Sequence, residues 1–158
     1  MQKIVSQLSV RLIFKQLKVA TVESCTGGFI GKALTDQAGS SQWFAGGLIT
    51  YTNESKTQLA DVAPDLIEKY GAVSLEVADA MARGAQRHFP GCVSVAVTGV
   101  AGPDGGTPDK PVGTVCIATC LNGRVNAKKF LFEGNREQVR ESTVDQALEM
   151  VLADIEKK

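Results

Sequence analysis

The hydrophobic positions of the chain switch between helical and strand-like spacing from its first residues onward. Residues 2 to 17 carry apolar side chains three and four apart, which predicts an amphipathic helix, and the β-branched run KVATVE at 18 to 23 predicts a strand. A second helix is expected over 26 to 37 and a second strand over 44 to 52, with the turn-forming QAGSSQ between them. The chain therefore begins with two helix-strand units.

The middle of the chain is predicted to be helical, and its last third to be rich in strands. Residues 53 to 70 read as two short helical pieces broken at Pro64, and Ser74 is expected to cap a helix that runs to about Phe89. Asn135 is expected to cap a final helix. Three strands are predicted between these helices, at 92 to 100, 112 to 120 and 125 to 133.

This order of elements predicts an α/β protein. Helices before, between and after about five strands favour a three-layer α/β/α sandwich, and the Asn-Gly hairpin signal in LNGR makes at least one strand pair antiparallel, so the sheet is mixed. With 158 residues, of which 44% are hydrophobic, the chain is long enough to bury one core. We therefore expect a single domain over residues 1 to 158.

Charge and composition narrow the function classes. Lys plus Arg and Asp plus Glu number 17 each, so no overall field attracts a nucleic acid or an acidic membrane surface. The N-terminus has no signal-peptide core and no later stretch approaches about 18 apolar residues, which favours a soluble, cytoplasmic protein. Four cysteines without a CxxC, together with one histidine, argue against a zinc site of familiar spacing.

The stretch VESCTGG carries candidate chemistry where the first predicted strand ends and a helix begins. Ser24 would lie at the carboxyl edge of the sheet beside unpaired backbone N–H groups, and Gly27 and Gly28 would let a ligand approach those groups. Such N–H groups can hold an oxyanion or a phosphate. The alternative is that Ser24 or Thr26 only caps the helix and that the glycines serve packing.

A serine nucleophile needs a base, and a Ser-His-Asp triad is improbable here. The only histidine, His88, falls at a predicted helix end, where an interaction with the helix dipole is its commoner role. YTNESK offers Tyr51 and Lys56 instead, although a solvated Lys56 is the simpler interpretation, since a lysine is a base only when its pKa is lowered. Cys25 competes with Ser24, but strand alternation would turn its thiol toward the packing side.

Two further segments suggest ligand binding. The loop at 98 to 113, TGVAGPDGGTPDKPVG, is long for a compact domain, and Thr98 and Gly99 should emerge at the same sheet edge as Ser24 if the strands are parallel. Arg136 and Arg140 share one face of the first turns of the last helix. Cations are unfavourable at that end unless they meet carboxylates or a phosphate, so ion pairing and phosphate binding are both open.

The segments ESCTGG, YTNESK, TGVAGPDGGTPDKPVGTV and FEGNREQVR, in this order, resemble the nicotinamide-nucleotide amidase family, also known as the C-terminal domain of competence-damage-inducible protein A. The resemblance runs from about residue 18 to the C-terminus. It departs from the family pattern in two places: Gly134-Asn135-Arg136 replaces the usual GDR, and the first helix lacks the glycine that commonly precedes the first strand.

The resemblance implies a function and a set of site residues. Family members are α/β/α proteins that convert nicotinamide mononucleotide to nicotinate mononucleotide and ammonia, without a metal, and we expect no cofactor. By this resemblance Ser24 is the nucleophile, Lys56 its general base, and Tyr51 assists. The implied substrate-site residues are Thr26, Gly27, Gly28, Thr98, Gly99, Gly102 and an arginine, either Arg136 or Arg140.

Two other function classes remain open at this point. The domain type also occurs fused to a larger pyrophosphatase-like partner, so a non-catalytic nucleotide-binding or regulatory module is the main alternative. A pure scaffold would leave the Ser-Lys-Arg set and the glycine-rich loop unexplained. As partners we expect the small-molecule substrate and a second copy of the chain in a homodimer, and neither a nucleic acid nor a membrane.

Overall fold

The computed structural model describes residues 1–157, which form a sheet flanked by helices. The helices are α1 (Gln2–Phe14), α2 (Phe29–Thr35), α3 (Asn53–Ala60), α4 (Pro64–Tyr70), α5 (Leu75–His88) and α6 (Arg136–Glu156). The strands are β1 (Val19–Glu23), β2 (Phe44–Ile49), β3 (Val93–Gly99), β4 (Thr114–Leu121) and β5 (Arg124–Leu131). A short 3-10 turn at Ser40–Gln42 precedes β2, within the segment predicted as a turn.

The sheet is mixed, as the sequence predicted. Its strand order is β2-β1-β3-β4-β5, with β1 parallel to both β2 and β3, and β4 antiparallel to β3 and β5. The β4-β5 hairpin turns at Asn122 and Gly123, whose φ angles of 52° and 79° are the left-handed pair that a two-residue turn requires. The Asn-Gly signal therefore predicted one of the two antiparallel pairs, β4 with β5.

Helices cover both faces of the sheet, which gives the predicted three layers. α1, α2 and α6 pack on one face over a cluster that includes Val115 and Ile117 of β4, while α3, α4 and α5 pack on the other over Cys116 and Ala118. The four β4 residues alternate between the two clusters because neighbouring side chains of a strand point to opposite faces. Almost every residue of β1, β3 and β4 is buried, as expected for central strands covered on both sides.

The predicted helix starts agree with the observed caps. The Ser74 hydroxyl accepts a hydrogen bond from the Val77 N–H, and the Asn135 side chain accepts one from the Gln138 N–H. Pro64 is the first residue of α4, where its missing N–H costs nothing.

Two boundaries around the candidate site differ from prediction. β2 ends at Ile49 rather than at residue 52, because Thr52 leaves the strand to cap α3. α2 begins at Phe29 rather than at residue 26, because Gly27 and Gly28 take φ angles of 59° and 106°, outside the right-handed helical region. Both differences lengthen the irregular segments at the carboxyl edge of the parallel strands.

Membrane insertion receives no support from the helices. Within residues 1–157, none of them combines the length and the apolar character that a bilayer crossing requires.

Candidate active site

The strand order places Ser24 at a natural binding crevice. β1 lies between β2 and β3 in the sheet. The chain leaves β1 to form β2 on one side and later forms β3 on the other side, so a crevice is expected at the carboxyl end of β1. Ser24 is the first residue after β1, and its N–H donates to the Val97 carbonyl of β3 at 3.1 Å. The residue is thereby held at the sheet edge, where it is 7% exposed.

Lys56 approaches Ser24 from the first turn of α3. Thr52 caps that helix through a reciprocal pair of hydrogen bonds with Ser55, which fixes the direction of the helix as it leaves β2. The Lys56 side chain then extends back to the sheet edge, with Nζ 3.0 Å from Ser24 Oγ, and it donates to the Thr50 carbonyl at 3.0 Å. The sequence offered Lys56 and Tyr51 as candidate bases for Ser24, with a solvated Lys56 as the simpler interpretation, and only the family resemblance chose Lys56.

Burial prepares the Lys56 amine to act as a base. The side chain is only 2% exposed, and loss of solvation lowers the pKa of Lys56 below its usual value, while the nearby Cys25 opposes that change. Within residues 1–157, Lys56 forms no ion pair with a carboxylate that would hold it in the charged form. The simpler interpretation, a solvated surface lysine, is wrong for this chain.

The turn that carries Ser24 is held by a carboxylate that sequence reasoning missed. Glu23 is completely buried and accepts hydrogen bonds from the Thr26 hydroxyl at 2.6 Å, the Ile30 N–H at 2.8 Å and the Gly31 N–H at 2.9 Å. It thus satisfies unpaired donors at the start of α2 and fastens the turn to that helix. The available signal was a glutamate at the end of an otherwise apolar buried strand.

Cys25 is poorly suited to act as the nucleophile. Burial raises the pKa of its thiol to about 11, although its own backbone N–H and Arg140 lower it, so the thiolate is scarce at neutral pH. The side chain belongs to the core cluster on the α2 and α6 face, as strand alternation predicted, although the residue also contributes to the wall of the cavity. Its chemistry favours packing over catalysis.

A cavity of about 290 Å³ opens beside Ser24. Its wall combines the turn that carries Ser24, the segment between β2 and α3, the start of the long loop and the start of α6. The lining residues are Ser24, Cys25, Tyr51, Gly99, Val100, Ala101, Gly102, Asp104, Gly105 and Arg136. The loop after β3 therefore supplies half of the lining residues, as expected from the parallel β1-β3 pair, although Val100, Ala101, Asp104 and Gly105 were not singled out from the sequence.

The two arginines of α6 have different environments. Arg136 lies on the cavity wall, where its guanidinium donates to the Gly102 carbonyl at 2.8 Å and to the Tyr51 hydroxyl at 3.1 Å. Arg140 donates to the carbonyls of Cys25 at 3.2 Å and Thr26 at 2.9 Å. Arg140 therefore stabilises the turn that carries Ser24, and it is not among the residues that line the cavity. Of the two arginines, Arg136 is the one placed to contact a ligand there.

Tyr51 also lies on the wall of the cavity, and it is 56% exposed. Its hydroxyl accepts the hydrogen bond from Arg136, and it makes no hydrogen bond with Ser24 or Lys56 in the described part of the chain. Its position suits a binding-site wall better than the role of assisting the base.

Besides Arg140, four predicted substrate residues lie outside the cavity lining. The Thr98 hydroxyl donates to the Ala72 carbonyl at 2.8 Å, because its side chain points to the α5 face of the sheet rather than to the edge. The Thr26 hydroxyl is used by Glu23, and the Gly27 N–H donates to the Ser24 carbonyl at 3.0 Å inside the turn. Gly28 provides the left-handed residue before α2. These residues shape the turn rather than contact the cavity.

Other features of the surface offer less chemistry. A larger cavity of about 420 Å³ lies between α3 and α4, but its lining, which includes Thr57, Pro64 and Ile67, holds no paired nucleophile and base. Among residues 1–157, no three histidine, cysteine or carboxylate side chains converge as metal ligands would. The cavity lined by Ser24, which Lys56 contacts from outside the lining, is therefore the strongest candidate for an active site.

A family model described as the CinA C-terminal domain matches residues 1–155. The chain belongs to this family. A CinA-like protein of Leptospira biflexa is 44% identical over 149 residues, which cover 94% of this chain and 36% of the relative. A CinA-like protein of Mycobacterium tuberculosis is 47% identical over 135 residues, which cover 85% of this chain and 31% of the relative. The chain thus spans about a third of the length of these curated relatives.

Solved structures of CinA superfamily and competence/damage-inducible proteins have the same fold. A CinA superfamily protein of Escherichia coli is 37% identical with a TM-score of 0.91, over 96% of this chain and 88% of that protein. A competence/damage-inducible protein of Agrobacterium tumefaciens is 41% identical with a TM-score of 0.90, over 98% and 96% of the two chains. The α/β fold predicted from the sequence is confirmed by these neighbours.

Proposed function

We propose that this CinA-type domain is an amidase that converts nicotinamide mononucleotide to nicotinate mononucleotide and ammonia. The observation that carries the proposal is a buried amine with a lowered pKa, 3.0 Å from a serine hydroxyl at the mouth of a cavity. A serine beside a neutral lysine is suited to acyl transfer, since the amine can accept the hydroxyl proton during attack. The substrate assignment itself comes from the family resemblance.

The reaction we propose begins with attack of Ser24 Oγ on the carboxamide carbon. Lys56 Nζ takes the hydroxyl proton, and the tetrahedral oxyanion forms near the turn at 25 to 28. Of this turn, Cys25 lines the cavity next to Ser24, and within the described chain its N–H donates to no backbone carbonyl, which leaves that N–H available to the oxyanion.

The carbon-nitrogen bond then breaks. The Lys56 ammonium returns its proton to the leaving nitrogen, so that ammonia departs and an ester to Ser24 remains. Water attacks this ester with Lys56 again as base, nicotinate mononucleotide leaves, and the Ser24 hydroxyl is restored. Every proton passes through the same amine, so the mechanism requires no second titrating side chain and no metal.

Arg136 supplies the other half of substrate recognition in this proposal. Its guanidinium lies on the cavity wall and forms no ion pair with a carboxylate within residues 1–157, so a phosphate would meet an uncompensated cation. The volume of about 290 Å³ is near the lower end of small-ligand sites, roughly 300 to 1,000 Å³, which suits a mononucleotide better than a dinucleotide.

The test is ammonia release from nicotinamide mononucleotide by wild type, Ser24→Ala and Cys25→Ala proteins. We expect Ser24→Ala to abolish turnover without lowering the thermal midpoint, because Ser24 lies at the sheet edge, and Cys25→Ala to keep most activity. Loss of activity in Cys25→Ala alone would transfer the nucleophile role to the thiol. Nucleotide binding by the wild type without ammonia release would instead indicate a regulatory module.

A further inference from the structure

The candidate cavity contains one carboxylate whose presence the proposed chemistry does not explain. Asp104 lies on the cavity wall in the loop that follows β3, two positions after Gly102. A bound phosphate would be repelled by a carboxylate, and neither the attack by Ser24 nor the proton transfer by Lys56 needs one. Asp104 is an exposed residue, and within residues 1–157 its side chain forms no ion pair and no hydrogen bond.

The carboxylate of Asp104 and the guanidinium of Arg136 do not form an ion pair with each other. Arg136 donates to the Gly102 carbonyl and to the Tyr51 hydroxyl, and it makes no ion pair with Asp104 in the described chain. Among the described residues that line the cavity, only Arg136 and Asp104 carry a charged side chain. The cavity lining thus carries one positive and one negative side chain that are not paired with each other.

Such a wall is complementary to a ligand that carries both signs of charge. A ribosylated nicotinamide nucleotide has a dianionic phosphate at one end and, at the other, a pyridinium ring whose positive charge does not titrate. With the phosphate at Arg136, the ring that bears the carboxamide has to reach Ser24, on the wall that also holds Asp104. Tyr51 is an exposed aromatic side chain on the same wall, and aromatic faces also attract cations.

We propose that Asp104 is a specificity-determining residue that selects the cationic pyridinium ring over uncharged rings bearing the same amide and phosphate. This inference rests on the proposed amidase function and extends it, since it concerns which redox form of the nucleotide the site accepts. The oxidised nucleotide would satisfy both charges of the wall. The 1,4-dihydro form has the same phosphate and the same carboxamide but no ring charge, so it would leave Asp104 without a partner.

The experiment compares binding rather than turnover, because the carboxamides of the two redox forms differ in intrinsic reactivity. Dissociation constants for nicotinamide mononucleotide and its 1,4-dihydro form are measured by calorimetry on the Ser24→Ala protein, which cannot consume the ligand. The same measurements are made after adding Asp104→Asn, Asp104→Glu or Asp109→Asn. Asp109 is an exposed carboxylate of the same loop outside the cavity lining, and it serves as the matched control.

We expect Asp104→Asn to weaken binding of the oxidised nucleotide about fivefold, the effect of one partly solvated charge contact, and to change binding of the dihydro form less than about twofold. Asp104→Glu should keep most of the preference for the oxidised form, and Asp109→Asn should change neither affinity. Equal weakening of both forms by Asp104→Asn, or no change in either, would overturn the role of Asp104.

Failure of the proposed function gives a different result. If the Ser24→Ala protein binds neither redox form and the wild type releases no ammonia, the amidase function is wrong and the role of Asp104 is wrong with it. If ammonia is released and both forms bind with a ratio that Asp104→Asn leaves unchanged, the amidase function stands and only the role of Asp104 is rejected.

Discussion

Two buried ionisable residues, Glu23 and Lys56, define the site at the scale of single residues. Burying a charged side chain costs free energy unless hydrogen bonds or an opposite charge compensate it, and the surroundings of the two residues differ in this respect. Glu23 is surrounded by three donors, the Thr26 hydroxyl and the N–H groups of Ile30 and Gly31. Among residues 1–157, the hydrogen-bond partners of Lys56 Nζ are only the Thr50 carbonyl and Ser24 Oγ, so burial favours its neutral form.

The lowered pKa of Lys56 predicts the pH dependence of the reaction. Because only the neutral amine accepts a proton, kcat/KM should fall as the pH drops through a value below the ordinary lysine pKa of 10.5. Lys56→Arg should be inactive, since a guanidinium remains charged. The control is Lys69→Arg, at an exposed position of α4. An active Lys56→Arg enzyme, or a rate unchanged by pH on the acidic side, would contradict the base assignment.

The different environments of Arg136 and Arg140 predict different defects. A charge-assisted contact to phosphate contributes about 1.5 to 3 kcal/mol, so Arg136→Ala should lower kcat/KM about ten- to a hundredfold on nicotinamide mononucleotide, yet barely affect the phosphate-free riboside. Arg140→Ala should lower stability by about 1 to 2 kcal/mol, because the carbonyls of Cys25 and Thr26 lose their donor.

Steady-state kinetics on the mononucleotide and the riboside, together with thermal melts, separate these two roles. If Arg140→Ala instead produced the selective loss on the mononucleotide with an unchanged melting temperature, the roles of the two arginines would be reversed.

At the scale of elements, the position of Lys56 relative to Ser24 depends on how α3 packs against α5. Gly84 of α5 faces the end of α3, and a Cβ at this position would lie 1.8 Å from the Ala60 carbonyl oxygen. The backbones of the two helices therefore touch where α3 ends, and α3 carries Lys56. The distance from Lys56 to Ser24 is thus set partly by a glycine on a helix that contributes nothing to the cavity lining.

Gly84→Ala should consequently destabilise the fold and displace Lys56. We expect a loss of about 1 to 3 kcal/mol from overpacking, read as a lower Tm, and reduced activity in the protein that remains folded. Gly31→Ala is the matched helical control, since its Cβ would meet Glu23 and Phe44 at an ordinary 3.5 Å, and Ala has the higher helix propensity. A Tm for Gly84→Ala at or above that of Gly31→Ala would show that the helices can separate without cost.

At the scale of the whole molecule, the sheet couples the two hydrophobic clusters. The cluster under α1, α2 and α6 and the cluster under α3, α4 and α5 share the same central strands, with alternate residues of β4 contributing to each. Loss of either layer would expose one face of the sheet. Ser24 and Lys56 lie at the edge of this sheet, so their spacing depends on both layers.

Unfolding should therefore be a single cooperative transition. Trp43, the only tryptophan, is buried in the cluster on the α1 side, so its fluorescence reports one layer while far-UV circular dichroism reports all helices. Urea midpoints from the two probes should coincide. Separate midpoints would show that the layers unfold independently and would contradict the prediction of one domain. A homodimer likewise stays a prediction, to be measured by sedimentation.

The sequence by itself determined the order and type of the elements around the site. Hydrophobic periodicity located the helices and strands, Ser74 and Asn135 marked helix starts, and the Asn-Gly turn required an antiparallel pair. These signals are local, since each depends on residues within one turn or one strand, and so they can be read from the chain without knowing what packs against it. The order of the motifs also indicated the family, and the family resemblance predicted that Ser24 and Lys56 act together.

Only the tertiary structure decided which of the marked residues meet. Ser24 and Lys56 are 32 positions apart and come within 3.0 Å because β1 lies beside β2 and α3 turns back over the sheet edge. Arg136 and Arg140 are the same residue type and lie four positions apart at the start of α6. Arg136 nevertheless lines the cavity, whereas Arg140 donates a hydrogen bond to the turn that carries Ser24. Burial of Glu23 and Lys56 is also a property of the packed layers. Solvation and distance across the fold are set by long-range packing, which local sequence patterns do not contain.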